Sequence, residues 1–277
     1  MRILDKENAL IGFDELGMSK NIKLNFQKSL KEPNGIIFVT GPTGSGKTTT
    51  LYAALDLIND KFRNIITAED PIEYAINGIS QTQVNSKVGM SFAAGLRSIL
   101  IQDPDVVMVG EIRDKETAEI AVQASLTGHL VLSTVHTNSA ISAITRLRDM
   151  GIESYLIASS IKAIFSQRLI RKLCDKCKIE LSTSIDNSLV DFDSSIKTYT
   201  AKGCSYCKNT GYKGRIALAE SVIIDDALKK MIHEQRSENE MLKHISLKGD
   251  SIEFLIKRLL IDGVTSIEEI IRVNNFN

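Results

Sequence analysis

A glycine-rich segment that ends in a lysine and a threonine carries the clearest chemistry in this chain. It reads Gly-x-x-x-x-Gly-Lys-Thr and follows the apolar run 36–40. Glycines let backbone N–H groups turn toward phosphate oxygens, the lysine reaches the outer oxygens, and the threonine hydroxyl binds Mg²⁺. Thr48 is the predicted magnesium ligand, and residues 48–55 are predicted to form the helix that faces the phosphates. The predicted phosphate-binding residues are Gly41, Pro42, Thr43, Gly44, Ser45, Gly46, Lys47, Thr48 and Thr49.

Two acidic segments follow apolar runs of strand length. Glu69, Asp70 and Glu73 come after the run 65–68, and Glu111 ends the run 105–110. Triphosphate hydrolysis needs a carboxylate that orients or deprotonates water, and an acid beside the phosphate loop completes the magnesium ligands. The alternatives are an ordinary surface loop for the first segment and a buried strand with a solvated end for the second.

Two of the four histidines flank one apolar run, with His129 before it and His136 after it. An imidazole near the terminal phosphate of a nucleotide can sense its presence. The alternative for either residue is a core histidine with satisfied hydrogen bonds. We therefore treat both as candidate nucleotide contacts.

The four cysteines form two Cys-x-x-Cys pairs, which is the spacing of a tetrahedral zinc site. Four thiolates saturate zinc and leave no position for water, so the predicted metal is structural. A redox pair or unused cysteines are the competing interpretations. The predicted zinc ligands are Cys174, Cys177, Cys204 and Cys207.

Alternating strand and helix patterns place these residues in an α/β fold with a mainly parallel sheet covered on both faces. Asp114 and Asn138 are predicted to cap helices. The predicted strands are 36–40, 64–68, 79–84, 105–110 and 130–134, and the predicted helices are 91–101, 115–126, 251–261 and 266–273. The predicted division of the chain is an entry segment and linker remnant (1–34), the ATPase core (35–170), a cysteine module (171–222) and a C-terminal helical subdomain (223–277).

Composition agrees with a globular protein of 277 residues, 43% of them hydrophobic and 25% charged. Lysine plus arginine equals aspartate plus glutamate at 34 each, so no overall positive charge favours nucleic acid, although a local basic patch is compatible with this balance. No apolar run approaches the roughly 20 residues of a membrane-spanning helix, and the N-terminus lacks a signal-peptide core. We expect a cytoplasmic protein.

Taken in order, these motifs resemble those of the type II secretion and type IV pilus assembly ATPases, over about residues 16 to 277. The resemblance implies a RecA-like hexameric motor that uses ATP, Mg²⁺ and Zn²⁺ and acts on an inner-membrane platform protein and its adaptor, as a cytoplasmic protein held at the inner membrane face through these partners. It also implies site roles: phosphate and magnesium binding for Lys47 and Thr48, general base for Glu73, an atypical Walker B acid for Glu111, support for the acidic site for Glu69 and Asp70, a histidine box for His129 and His136, and nucleotide-site arginines for Arg97 and Arg113.

Two departures from the family pattern affect the expected activity. Ile101 stands where the family usually has arginine, which removes up to five hydrogen-bond donors. The chain also begins at what resembles the linker after a further N-terminal domain, which in the family contributes arginines to the nucleotide site. A missing arginine finger costs about 10³ to 10⁵ in rate. We therefore expect nucleotide binding with slow turnover.

Two rival functions remain open from the sequence. One is a nucleotide-dependent switch or scaffold that binds ATP and barely hydrolyses it, and the other is a nucleic-acid translocase on the same core. The acids Glu73 and Glu111 favour a motor, and neutral net charge with a cysteine module disfavours the translocase. Retraction motors usually lack the cysteine pairs, so the module favours assembly or secretion by analogy.

Overall fold

A seven-stranded sheet forms the centre of the molecule in the computed structural model, which describes residues 11–137, 139–181, 197–246 and 252–274. Its strands are β1 (Gly35–Thr40), β2 (Ile65–Glu69), β3 (Ser80–Gln83), β4 (Val106–Val109), β5 (Leu130–Val135), β6 (Ile161–Leu173) and, after two short strands, β9 (Tyr212–Ile223). The strand order is β3-β2-β4-β5-β1-β6-β9, and only the β6–β9 pair is antiparallel. The predicted mixed α/β fold and its five predicted strands are confirmed.

Helices cover both faces of this sheet. They are α1 (Lys20–Ser29), α2 (Lys47–Ile58), α3 (Phe92–Leu100), α4 (Lys115–Leu126), α5 (Ala140–Asp149), α6 (Ser154–Ser160), α7 (Asp226–His233), α8 (Glu238–Ser246), α9 (Ile252–Ile261) and α10 (Ile267–Asn274). Every residue of β1, β2, β4 and β5 is buried, as expected for parallel strands with helices on either side. Two clusters of buried apolar side chains, one on each face, make the core. Among the described residues, no helix has both the length and the apolar character needed to cross a membrane.

The predicted N-cap is found at the start of α4, whereas α5 has a different N-cap from the predicted one. The Asp114 carboxylate accepts a hydrogen bond from the Thr117 N–H at 2.8 Å, which confirms it as the cap of α4. The cap of α5 is Ser139, whose hydroxyl accepts from the Ser142 N–H at 3.1 Å. The predicted cap, Asn138, lies outside the described residues. Because α5 begins at Ala140, the residue directly before it is the one in position to cap.

The predicted boundaries of the cysteine module, 171 and 222, fall inside two long antiparallel strands of the principal sheet, β6 and β9. Both ends of the segment 171–222 belong to the principal sheet, since β6 continues to Leu173 and β9 begins at Tyr212. Between them lies a separate two-stranded sheet of β7 (Lys178–Leu181) and β8 (Thr198–Ala201). The first residues of β9 include lysine and glycine and are mostly exposed, so the sequence of this end does not show the apolar pattern of a strand. Residues 182–196, in the interior of the predicted module, lie outside the described residues.

A buried glutamate fixes the last helix to the sheet. Glu269 of α10 is fully buried, and its carboxylate accepts hydrogen bonds from Arg171 Nε at 2.8 Å and Arg272 Nε at 2.7 Å. The Arg171 N–H of β6 donates to the same carboxylate at 2.9 Å. Burial raises the pKa of Glu269, but the hydrogen bonds from Arg272 and Arg171 outweigh it and hold the pKa at about 2.

We expect Glu269→Gln to lower the free energy of unfolding at pH 7 by about 3 kcal/mol, because the pKa of this group falls from 4.5 to about 2 on folding. A depressed folded pKa stabilises the protein above the unfolded pKa, and the stabilisation is lost as pH falls through the range between these values. Urea unfolding of the wild type and of Glu269→Gln at pH 7 and pH 3 measures this stabilisation. The difference between their free energies of unfolding should be large at pH 7 and small at pH 3. Glu268→Gln, at the exposed neighbouring position, should change little. Equal stabilities of wild type and Glu269→Gln at pH 7 would contradict the assignment.

Candidate nucleotide and metal sites

A cavity of about 580 Å³ lies at the carboxyl ends of β1, β2, β4 and β5. Ligands of open α/β sheets bind at this edge, where loops from several strands meet. The predicted residues that line the cavity are Thr43, Gly44, Gly46, Lys47, Thr48, Thr49, Glu69, Asp70, Glu73, Glu111, Arg113 and His136. Side chains that are far apart in the sequence therefore share one cavity.

The phosphate loop is held from beneath by a residue of β6. The buried side chain of Gln167 donates to the Ser45 carbonyl oxygen at 2.7 Å and accepts from the Thr50 hydroxyl at 2.8 Å. A Cβ at Gly41, which has φ of 141°, would collide with the Gln167 carbonyl oxygen and the Ser45 hydroxyl. Only glycine fits at position 41. Gly41 and Ser45 therefore shape the loop on the side that packs against Gln167, and they do not line the cavity.

Lys47 is buried at the start of α2 and bonds to the loop itself. Its ammonium group donates to the Gly41 carbonyl at 2.8 Å and to the Pro42 carbonyl at 2.9 Å. Burial lowers the pKa of Lys47, and the negative charge of Glu111 opposes that change. The Lys47 ammonium group therefore lies against the phosphate loop, at the cavity wall.

Glu111 lies beside the loop and contacts two basic side chains, Arg113 and His136. Its carboxylate is 2.5 Å from Arg113 Nε and 3.3 Å from His136 Nε2. The strand ends that carry these groups are fixed to each other, since the Thr134 hydroxyl donates to the Gly110 carbonyl at 2.7 Å. Burial and the charge of Lys47 lower the pKa of His136, while Glu111 opposes them. His136 is therefore neutral at pH 7, with a ring nitrogen facing the acid.

Arg97 and His129, two of the predicted nucleotide contacts, do not line this cavity. His129 precedes β5 and His136 follows it, so the two imidazoles lie at opposite edges of the sheet, and His129 Nδ1 is 2.9 Å from the Ala124 carbonyl oxygen. The Arg97 guanidinium lies on the exposed surface, 2.6 Å from Glu116. Within this chain, neither belongs to the cavity.

Several residues that line the cavity belong to none of the predicted motifs. They come from the strands and loops around the phosphate site, and they include Leu51, Tyr74, Phe92, Met108, Leu169 and Arg215. Arg215 is the one further cation among these, and it reaches the cavity from β9. No local motif marks it, because β9 joins the sheet only through its pairing with β6.

The four cysteine sulfur atoms lie within 4.8 Å of one another. Cys174 Sγ is 3.9 Å from Cys204 Sγ, and Cys177 Sγ is 3.8 Å from Cys207 Sγ, so none of the four is in a disulfide. The N–H groups of Cys204 and Gly211 both donate to Cys207 Sγ at 3.2 Å. Four converging sulfur donors with N–H groups directed at one of them fit a tetrahedral soft-metal site.

Comparisons with known proteins identify the family and the relatives of this chain. Residues 1–272 match the family model described as type II/IV secretion system protein. The chain is 53% identical over 276 residues to type II secretion system protein E of Pseudomonas aeruginosa, covering 99% of this chain and 55% of that protein. It is 53% identical over 277 residues to type II secretion system ATPase E of Vibrio cholerae, with the same coverage of 99% and 55%. The chain thus spans about half the length of these curated relatives.

Two solved structures have the same fold. The pilus retraction motor PilT with bound ADP matches with a TM-score of 0.71 and 29% identity, over 98% of this chain and 68% of that one. The Legionella pneumophila ATPase DotB matches with a TM-score of 0.71 and 23% identity, over 96% of this chain and 66% of that one, which shows likeness of fold alone. With a family model that matches nearly all of its length, the chain belongs to the type II/IV secretion system protein family.

Proposed function

We propose that this chain is the ATP-hydrolysing motor domain of a type II secretion or type IV pilus assembly machine. The observation that carries the proposal is the single cavity that joins the phosphate loop to Glu73, Glu111 and His136. Phosphoryl transfer depends on positioned phosphate donors, a metal-binding acid and a group that orients water, and residues able to fill each role line this cavity.

The phosphate loop and α2 bind the triphosphate in this proposal. The backbone N–H groups from Gly44 to Gly46 precede α2, and those of Lys47 and Thr48 lie at its N-terminus, which favours negative charge. Lys47 exchanges the Gly41 and Pro42 carbonyl oxygens for phosphate oxygens when nucleotide enters. The lysine thereby contributes most to binding, since its charge lies in a partly desolvated position.

Oxygen donors suited to Mg²⁺ lie beside the phosphate positions. The Thr48 hydroxyl and the Glu111 carboxylate both line the cavity, and hydroxyl and carboxylate oxygens are the donors that Mg²⁺ prefers. Bound Mg²⁺ neutralises charge on the phosphate oxygens. Arg113 and His136 both contact Glu111 Oε2, so Glu111 would hold the metal through its other oxygen, Oε1.

Glu73 is the proposed general base. It lies half-buried at the cavity wall, on the loop after β2. A carboxylate in such a position orients the attacking water and accepts its proton. Asp70 is exposed at the start of the same loop and adds negative charge at the mouth of the cavity.

The four cysteines would hold a structural zinc ion. Four thiolates would complete its coordination, so the ion would cross-link β7–β8 to the principal sheet and take no part in hydrolysis. Further proposals follow from the family: a homo-oligomer, a hexamer in the complete motor, that acts in the cytoplasm at the inner membrane through a platform protein and an adaptor. Nucleic acid is not the expected partner, because the net charge is zero.

Titration calorimetry with Mg²⁺ and a non-hydrolysable ATP analogue tests the binding step. We expect binding by the wild type and an affinity weaker by about 30-fold or more in Lys47→Ala, equivalent to at least about 2 kcal/mol for a buried charged contact. Lys61→Ala, at an exposed position, is the matched control. Equal affinities of wild type and Lys47→Ala would sink the proposal.

A switch or scaffold is the second candidate function, and the ion pair of Glu111 with Arg113 supports it, because the guanidinium offsets the negative charge of the carboxylate that would hold Mg²⁺. Phosphate release separates the two. A motor domain turns ATP over, whereas a switch binds the analogue with the same Lys47 dependence and releases no phosphate above the Glu73→Gln background.

A further inference from the structure

The loop that carries Glu73 is held by two side chains from other elements. Residues 70–79 connect β2 to β3, and this connection forms one wall of the nucleotide cavity. Tyr52 reaches it from α2, and Gln81 reaches it from β3. Both side chains also contact the carboxylate of Glu69 at the end of β2.

Tyr52 joins the phosphate-binding helix to the backbone of Glu73. Its side chain is fully buried, its hydroxyl donates to Glu69 Oε2, and the same oxygen accepts from the Glu73 N–H at 3.2 Å. Burial and the neighbouring Glu69 carboxylate raise the pKa of Tyr52, so the phenol stays protonated and remains a donor. The Tyr74 ring packs edge-on against the Tyr52 ring at 4.7 Å.

Gln81 fixes the residues that follow Glu73. Its amide nitrogen donates to the Tyr74 carbonyl at 3.1 Å and to Glu69 Oε1 at 3.0 Å. Its amide oxygen accepts from the Ile76 N–H at 2.8 Å. Together with Tyr52, this side chain sets the backbone position of the loop on both sides of the proposed base.

Glu69 serves as the anchor of this network. It is 3% exposed, and it accepts from the Thr67 hydroxyl at 2.5 Å in addition to Tyr52 and Gln81. Both carboxylate oxygens thus have protein donors. A buried carboxylate in that state holds its neighbours in place, because breaking any of these bonds would leave charge without a partner.

We propose that nucleotide binding moves α2 and that Tyr52 is a positioning residue that carries this movement to Glu73, with Glu69 as its anchor and Gln81 as a second clamp. The inference rests on the proposed ATPase function. Tyr52 lies five positions after Lys47, little more than one helical turn from the phosphate site. A shift of the helix N-terminus on phosphate binding therefore moves the phenol and, through its hydrogen bond, the Glu73 backbone.

Tyr52→Phe tests this link because it removes one oxygen and keeps the ring. We expect kcat to fall by about 10- to 100-fold, as misplacement of a catalytic group by about 1 Å does, and nucleotide affinity to stay within about twofold of wild type, since the phosphate loop is intact. Tyr155→Phe, at an exposed tyrosine, is the control. Gln81→Met should lower kcat in the same direction while leaving the Tyr52–Glu69 contact in place.

A double variant separates positioning from a general structural effect. If Tyr52 acts through Glu73, then adding Tyr52→Phe to Glu73→Gln should leave the residual rate unchanged. A further loss by the same factor as in the wild-type background would overturn the proposal. So would an unchanged kcat in Tyr52→Phe, or a parallel loss of affinity.

Hydrogen exchange decides the link even where turnover is too slow to compare. In wild type, the Mg²⁺-bound ATP analogue should change the exchange of the Glu73 and Ile76 amides, and in Tyr52→Phe that change at Glu73 should disappear while calorimetry still registers binding. Binding without any change at Glu73 in wild type, or an identical change in Tyr52→Phe, would refute the coupling. Absence of binding by wild type would instead refute the proposed function.

Discussion

Glu73→Gln should lower ATP turnover by about 10²- to 10⁴-fold, the usual contribution of a positioned general base, and leave nucleotide affinity unchanged. The amide has nearly the shape of the carboxylate and cannot accept a proton at neutral pH. Glu73 lines the cavity, and its own backbone N–H is bonded to Tyr52, so the substitution keeps the loop in place. Phosphate release under saturating Mg-ATP, beside calorimetry with the inert analogue, measures both quantities.

Glu32→Gln provides the matched control, since Glu32 is exposed after α1 and outside the cavity lining. Its turnover should equal that of the wild type. An unchanged rate in Glu73→Gln would remove Glu73 from the role of base. A rate loss accompanied by an equal loss of affinity would assign it to ground-state binding of the nucleotide.

The parts of the molecule that sequence predicts best are those whose chemistry is local. The phosphate loop, β1 and α2 are contiguous, so a glycine pattern between an apolar run and a helix specifies all three. The cap at Asp114 depends on a contact only three residues away. Short apolar runs likewise gave β4 and β5, because both strands are buried on both faces.

The two histidines show what local sequence cannot predict, namely which of them lies next to the phosphate loop. His129 and His136 flank the same strand with the same chemistry, and only the direction of β5 within the sheet decides which of them meets the phosphate loop. β1 and β5 are parallel and in register, so the residue after β5 lies next to the segment after β1. The sequence predicts parallel pairing. It does not give the register of β1 and β5, which places His129 at the edge of the sheet away from the phosphate loop.

Contacts between distant segments were also beyond sequence reasoning. Gln167 supports the phosphate loop across 122 positions, and Arg215 enters the cavity from a strand that exists only through pairing with β6. Neither residue belongs to a motif that periodicity or spacing detects. The polar start of β9 made this strand resemble a loop, although its middle residues are buried.

The cysteine cluster predicts the second large effect. We expect the double substitution of Cys204 and Cys207 by serine to abolish binding of about one zinc ion per chain and to unfold the β7–β8 sheet. An isolated two-stranded sheet is marginal in water, and most described residues of β7 and β8 are half-buried or exposed. Structural zinc sites of this type contribute about 10 to 16 kcal/mol in small peptides, more than so little apolar burial can replace.

Elemental analysis of the purified chain and hydrogen exchange across 174–211 measure the two effects. The amides of β7 and β8 should lose protection in the double variant, whereas those of β1 and β5 should keep it, because the principal sheet has its own core on both faces. Affinity for the ATP analogue should therefore stay close to that of the wild type. Ser205→Ala, between the two cysteines, controls for disturbance of the turn. A wild-type chain that carries no metal yet protects β7 and β8 as fully as the principal sheet would show that the four thiols pack without one.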